Sequence, residues 1–330
     1  MHAARSGQGV LLALLLAAFC APGCDTTQIP GLPNPDPTVD AQTAAGSSTD
    51  QLAGGSTGGS VSATALEQLS LERINRARLR PAQEAARYGI AIDEGIPGQL
   101  NASVRQPVAL NANLNLAARE HSDDMLARNY FEHDTPEGDS PFDRMIDAGY
   151  VYVTAGENLA WRGTTGSVNE PETVEKQHED LFVDTGIDGR GHRVTMLNGN
   201  FREVGIAVVR GFFTRNGTRY DSIMQTQDYG TSANSPTFVL GAVYDDANRN
   251  GQYDFGEGRA GVTVSLGDVS RTTNSGGGYS FAVNQSGPYT LRFPGNRTQD
   301  LNIVRGQKNI KIDLVNGNTI IINLGAGVLP

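Results

Sequence analysis

The sequence predicts an α+β chain with two folded units, an opening one that begins in helices and a closing one built of strands. Three observations lead there. Between Leu66 and Leu126 apolar residues recur at three- and four-residue spacing, which places them on single faces of helices. After Pro236 short runs rich in Val, Ile, Tyr and Phe alternate with Gly, Asn and Asp, the pattern of strands and turns. Ahead of both, residues 25–60 hold four prolines, six glycines and no Lys, Arg or aromatic residue, a composition that buries too little apolar area to offset its chain entropy. The whole chain has 330 residues, 38% of them hydrophobic; that is too long for one ordinary domain and too polar for an integral membrane protein. Its net charge of −10, from 26 basic and 36 acidic residues, makes a phosphate backbone a poor partner, so no nucleic-acid binding is expected.

At the start, Arg5 precedes the apolar run Gly9 to Phe19, which has the length of a signal h-region and is too short to span a bilayer. Residues 1–23 are therefore expected to be a signal peptide. Ala21-Pro22-Gly23-Cys24 resembles a bacterial lipobox, which implies that Cys24 carries a lipid and anchors the mature chain to a membrane. An ordinary signal cut near Ala21 is the alternative, and both place the chain outside the cytoplasm. The only cysteines are Cys20 and Cys24, so all that follows folds without a disulfide, a thiolate metal site or a thiol nucleophile. Residues 24–60 then read as a flexible linker.

The first unit is expected over residues 61–232. Thr64-Ala65-Leu66-Glu67 has the form of a capping box, Pro81 opens a second short helix running to Tyr88, and a third helix starts near Asn113 with Leu114, Ala117, Ala118, His121, Met125 and Leu126 on one face. On that stripe His121 reads as a hydrogen-bonded core histidine. Beyond this helix the pattern gives way to polar stretches that read as loops: Phe131-Glu132-His133, Gly156-Glu157-Asn158-Leu159-Ala160, and Leu181-Phe182-Val183-Asp184 through Gly189-Arg190-Gly191-His192-Arg193. Hydrolase signatures are scarce. His178-Glu179-Asp180-Leu181-Phe182 begins like a zincin motif but has Phe182 in place of the second histidine, and neither expected folded unit holds a Gly-x-Ser-x-Gly elbow.

Taken in order, the Ala-x-x-x-His-Ser-x-x-Met helix, Tyr130-Phe131-x-His133, Pro141-x-x-Arg144 with Gly149-Tyr150, Gly156-Glu157-Asn158-Leu159-Ala160 and Gly191-His192-Arg193 resemble the CAP family of cysteine-rich secretory proteins, venom antigens, plant pathogenesis-related proteins and bacterial relatives. The resemblance implies a CAP-type α/β/α sandwich with strands at Val204–Val209 and Tyr220–Gly230. It also implies a cleft gathering His133, Glu157, Asp184 and His192. Two neutral imidazoles can bind zinc or another divalent cation, with a carboxylate beside each fixing its tautomer. Glu157 can instead serve as a general base on water, or all four can form a buried hydrogen-bonded network.

The second unit is expected over residues 236–330, with strands at Phe238–Tyr244, Gly261–Leu266, Gly278–Val283, Tyr289–Phe293, Ile310–Leu314 and Thr319–Leu324. So many short strands in about 95 residues suggest an all-β sandwich of Ig-like type. Its first loop has oxygen donors at positions 1, 3, 5, 9 and 12 in Asp246, Asn248, Asn250, Asp254 and Glu257, with Gly251 at position 6 and the carbonyl of Gln252 at position 7. A calcium loop of EF-hand type requires that spacing; an Asn/Gly-rich turn is the alternative. The surrounding phrase resembles the calcium-binding B-type repeats of bacterial surface adhesins. The expected protein is an exported, lipid-anchored bacterial binding protein with calcium in its second unit, zinc in its cleft and an unknown extracellular ligand, lipid-like by resemblance. Two other readings stay open: a metal-assisted extracellular hydrolase acting on peptides or cell wall with Glu157 as base, and a structural surface adhesin.

Overall fold

The computed structural model describes residues 63–321; the expected signal peptide, Cys24, the expected linker and the last nine residues lie outside them. Helix α1 (Ala65–Leu79) starts on the expected capping box, with the Thr64 hydroxyl accepting from the Glu67 N–H and the Glu67 carboxylate accepting from the Thr64 N–H. Helix α2 (Pro81–Arg87) has proline in its first turn. Strand β1 (Ala109–Leu110) leads into helix α3 (Ala112–Arg128), which is capped by the Asn111 side chain. Helix α4 (Pro141–Asp147), strand β2 (Thr154–Thr164), helix α5 (Glu170–Val183) and helix α6 (Gly191–Met196) follow. The unit closes with strands β3 (Glu203–Arg215) and β4 (Thr218–Thr231). They form a hairpin turned by Asn216 and Gly217, both at positive φ, the pairing that suits the right-handed strand twist.

These four strands make one sheet in the order β1-β3-β4-β2. Side chains alternate between its faces. Val204, Ile206, Val208, Ile223 and Tyr229 join Leu69 and Ile74 of α1 and Val174, Leu181 and Phe182 of α5 in one core. On the other face α3 lies so close that a Cβ on Gly205 would meet the Leu114 backbone carbon at 2.0 Å. The result is three layers, with α1 and α5 on one side of the sheet and α3 on the other.

Two sequence expectations are corrected here. Gly156 to Ala160 is the middle of strand β2 and not a loop, because the segment pairs along eleven residues with β4. Leu181, Phe182 and Val183 are the last turn of α5, with Leu181 and Phe182 buried in the core. Helices α4, α5 and α6 were not expected from periodicity.

The remaining strands are β5 (Thr237–Tyr244), β6 (Thr263–Leu266), β7 (Val269–Thr272), β8 (Gly278–Val283), β9 (Gly287–Phe293), β10 (Arg297–Ile303), β11 (Ile310–Val315) and β12 (Asn318–Ile321). They form two sheets, ordered β10-β9-β6-β7 and β12-β11-β5-β8. Val239 and Phe281 from one sheet pack with Leu266, Leu291 and Leu301 from the other around a shared core. Strands β7 and β10 escaped the sequence reading, and β6 begins two residues later than expected. The β11–β12 turn, between the expected strands Ile310–Leu314 and Thr319–Leu324, is made by Asn316 and Gly317 at positive φ; the end of the expected final strand lies outside the described residues.

The second unit rests on α1. Ala242, Tyr244, Tyr253 and Val315 join the core of the first unit, and the Gly276–Gly278 turn passes so close that a Cβ on Gly276 would meet Gln68 Cβ at 2.4 Å. Helix α1 is therefore covered on both sides: twelve of its fifteen residues are buried, Glu72 and Arg73 included. No helix among the described residues is long and apolar enough to cross a membrane.

Candidate functional site

Strand β2 is an outer strand of its sheet, and neighbouring residues on it face opposite ways. Glu157 points to the α3 face. There His133, in the connection between α3 and α4, brings Nδ1 to 2.7 Å from Glu157 Oε1. Arg144 of α4 donates to Glu157 Oε2 at 2.6 Å and to the His133 carbonyl at 2.7 Å, holding both partners. The carboxylate is 1% exposed and the imidazole 35%. Burial opposes the Glu157 charge, but the hydrogen bond with His133 and the nearby Arg144 outweigh it and hold the carboxyl at about 2. Burial likewise opposes the His133 imidazolium, and Glu157 outweighs that too, so the histidine titrates above its ordinary value.

The next residue, Asn158, faces the other way and donates from Nδ2 to the His192 carbonyl at 3.1 Å. His192 lies in the first turn of α6. Its Nδ1 is 2.7 Å from Asp184 Oδ1, and its backbone N–H donates to Asp184 Oδ2 at 2.9 Å. Asp184 ends α5 in the left-handed region, φ 58°, a conformation that a short polar side chain tolerates better than most. That turn aims a fully buried carboxylate at the start of α6, beneath an imidazole 16% exposed.

The structure thus sets the four predicted residues as two histidine–carboxylate pairs, His133 with Glu157 and His192 with Asp184. In both, the acid engages Nδ1 and leaves Nε2 for another partner. No group of three or more His, Cys, Asp or Glu able to hold a metal ion is found among the described residues. The arrangement is therefore two oriented imidazoles and not a closed ligand cage.

Sequence reading missed one member of this neighbourhood. Asp228 is directly opposite Glu157 in the β2–β4 register and completely buried. Neither of its oxygens meets a hydrogen-bond donor among the described residues; burial, then the Glu157 charge, pushes its pKa well above the usual carboxylate range. A charged residue at an inward position of an expected strand was the available signal. Two other histidines are structural. His121 Nε2 meets the Glu132 carbonyl at 3.0 Å, and burial drops its pKa to about 4. His178, on the buried face of α5, has Nε2 2.8 Å from Glu84 Oε1 of α2.

In the second unit the predicted loop turns at Gly251, φ 74°. Asp246 accepts from the N–H groups of Asn250 and Gly251 at 3.0 Å each, and Asp254 Oδ2 from the side chains of Asn248 and Asn250 at 2.7 and 2.6 Å. Glu257 reaches back to the N–H groups of Ala247 and Asp254, both at 2.9 Å. The acidic and amide side chains at positions 1, 3, 5, 9 and 12 are thereby drawn round one turn.

Residues 71–229 match the model of the cysteine-rich secretory protein family, CAP. The chain is 38% identical over 104 residues to the uncharacterized protein YkwD of Bacillus subtilis (strain 168), a match spanning 32% of this chain and 35% of that one. It is 31% identical over 96 residues to the uncharacterized membrane protein YlbC of the same organism, spanning 29% and 24%. The chain thus spans about a third or less of the curated relatives it matches. Among solved structures it is similar to an extracellular protein containing a SCP domain from Bacillus anthracis str. Ames, at 20% identity and a TM-score of 0.30, over 50% of this chain and 41% of that one.

Proposed function

We propose that this chain, which carries a CAP domain within residues 71–229, is an exported binding protein that takes a divalent cation, zinc foremost, at His133 and His192. One observation supports this above the rest: each partly exposed imidazole has its Nδ1 tied at 2.7 Å to a buried carboxylate. Such a partner fixes the tautomer and raises the basicity of the free nitrogen, as at protein metal sites. Two protein ligands are fewer than the three of usual catalytic zinc sites, so water or an extracellular ligand, lipid-like by family resemblance, completes the shell. Both Glu157 oxygens are engaged, by His133 and Arg144, which favours an orienting role over that of general base in a hydrolase. Calorimetry with Zn²⁺ gives a binding isotherm for the wild type and none for the His133→Ala/His192→Ala chain; superimposable isotherms would overturn the assignment.

The second unit is read as an Ig-like sandwich stabilised by calcium at Asp246, Asn248, Asn250, Asp254 and Glu257 and at the Gln252 carbonyl. The spacing of those donors and the turn at Gly251 support that reading. A cation bound only by the folded state adds about 2.7 kcal/mol at a hundredfold excess over Kd. Melting in excess Ca²⁺ is therefore expected several degrees above melting in EDTA, and coincident curves would leave the segment as a turn. A lipid on Cys24 would hold both units at an extracytoplasmic membrane face.

A further inference from the structure

The loop of residues 246–257 is not held by its own unit alone. Its second half is seated on helices of the first unit. Arg73 of α1 donates from Nη1 to the Tyr253 carbonyl at 2.6 Å and from Nη2 to Asp254 Oδ1 at 3.0 Å. Arg76 of α1 and Arg87 of α2 both donate to Gln252 Oε1 at 2.9 Å. The Tyr253 ring is buried against Tyr244, with ring centres 5.4 Å apart, and its hydroxyl donates to the Gly276 carbonyl at 2.9 Å. From Ala247 to Asn250, by contrast, the loop is exposed.

These contacts leave the expected donors free. In a loop of this type the seventh residue offers its backbone carbonyl, so the Gln252 side chain is available to the two arginines. Asp254 meets Arg73 through Oδ1 while Oδ2 faces Asn248 and Asn250 across the loop. Arg73 is also paired with Glu175 of α5, which accepts from its Nε at 2.9 and 2.7 Å. Its charge is thus largely answered on the α5 side, and what it gives the loop is direction. Binding then requires ordering only the half that the first unit does not hold.

We propose that this loop is a two-unit calcium site: Arg73, Arg76 and Arg87 of the first unit hold its second half in the binding shape, and the bound cation in return tightens the docking of the two units. The proposal rests on the calcium reading above and adds residues that determine affinity without touching the ion. Reciprocity is required by linkage, since whatever the docked state does for cation affinity the cation does for docking.

The test is calcium calorimetry on the full chain, with hydrogen exchange of α1 amides measured with and without Ca²⁺. Gln252→Ala removes no ligand atom but cuts the contacts to Arg76 and Arg87, and Arg73→Met cuts those to Tyr253 and Asp254. Each is expected to weaken Ca²⁺ binding roughly tenfold, the loss of one or two charge-assisted hydrogen bonds that order the loop. In the wild type Ca²⁺ is expected to slow α1 exchange, and to slow it less in the variants. If Arg73→Met does not fold, as circular dichroism will show, Gln252→Ala decides. Wild-type affinity in the folded variants, with α1 exchange insensitive to Ca²⁺, overturns the two-unit site while leaving the calcium loop standing. Absence of any calcium heat in the wild type overturns the loop reading and this one together.

Discussion

Lys311→Met is expected to lower the unfolding free energy of the chain by about 3–5 kcal/mol, the cost of stranding a buried charge group by removing one partner. Lys311 lies on β11, buried, with Nζ 2.5 Å from Asp313 and 3.0 Å from Glu72 of α1. The three charges therefore sit inside the contact between the two units. Burial opposes the ammonium, and Asp313 and Glu72 outweigh it, so Lys311 stays charged. Without it two carboxylates face each other with no counter-ion. Neutralising the whole group, as Glu72→Gln/Lys311→Met/Asp313→Asn, is expected to restore most of the loss; the new side-chain amide oxygen would still accept from the Ala242 N–H, now bonded to Asp313 at 2.8 Å. Denaturant midpoints measure both, and an unchanged midpoint for Lys311→Met would remove the interface charge group from the account. The group also imposes a pH dependence. Burial pushes the Asp313 carboxyl up to about 6, Lys311 pulling it down and Glu72 adding to the rise. The folded chain then holds a proton that the unfolded chain has released, so this contribution is full below the ordinary carboxylate pKa and is lost as pH rises to about 6.

Glu157→Gln is expected to weaken Zn²⁺ binding by about 10- to 100-fold, the usual effect of removing the group that orients a metal-binding histidine. The amide is isosteric, so the loss reports charge and tautomer more than shape. Glu157 is also what raises the His133 pKa against burial; in the variant that value falls, which nuclear magnetic resonance of the imidazole follows directly. The pH dependence has two opposite signs. The His133 imidazolium bound to Glu157 steadies the fold below the ordinary histidine pKa, and this is lost as pH rises through the raised value. A metal needs the neutral ring, so wild-type zinc affinity climbs over that same interval. A Glu157→Gln chain with wild-type zinc affinity and an unmoved His133 titration would show that the carboxylate orients nothing.

Local signals were legible wherever a few neighbouring residues decide the outcome. The Thr64/Glu67 capping box and Pro81 at the start of α2 both occur as read. His133 and Glu157, His192 and Asp184 were named by motif and do lie in contact as pairs. Strand β2 was not legible, because a segment with Gly, Glu and Asn in its middle has little strand tendency of its own. It is extended because it pairs with β4, some seventy residues further along. Helix α5 was hidden for a related reason: Gln177 and His178 are buried polar residues, so its inner face does not look apolar.

By itself the sequence determined the capping box of α1, the start of α2, the four motif residues of the two histidine–carboxylate pairs and the donor spacing of the 246–257 loop, since capping, proline placement and donor periodicity are properties of residues close together in the chain. The tertiary structure alone decided what Glu72, Arg73, Arg76, Lys311 and Asp228 do. On a helix or strand viewed in isolation a charged side chain reads as solvent-facing. Whether it meets water, a second unit or another carboxylate depends on what long-range packing brings against it, and burial then changes the energy of that charge.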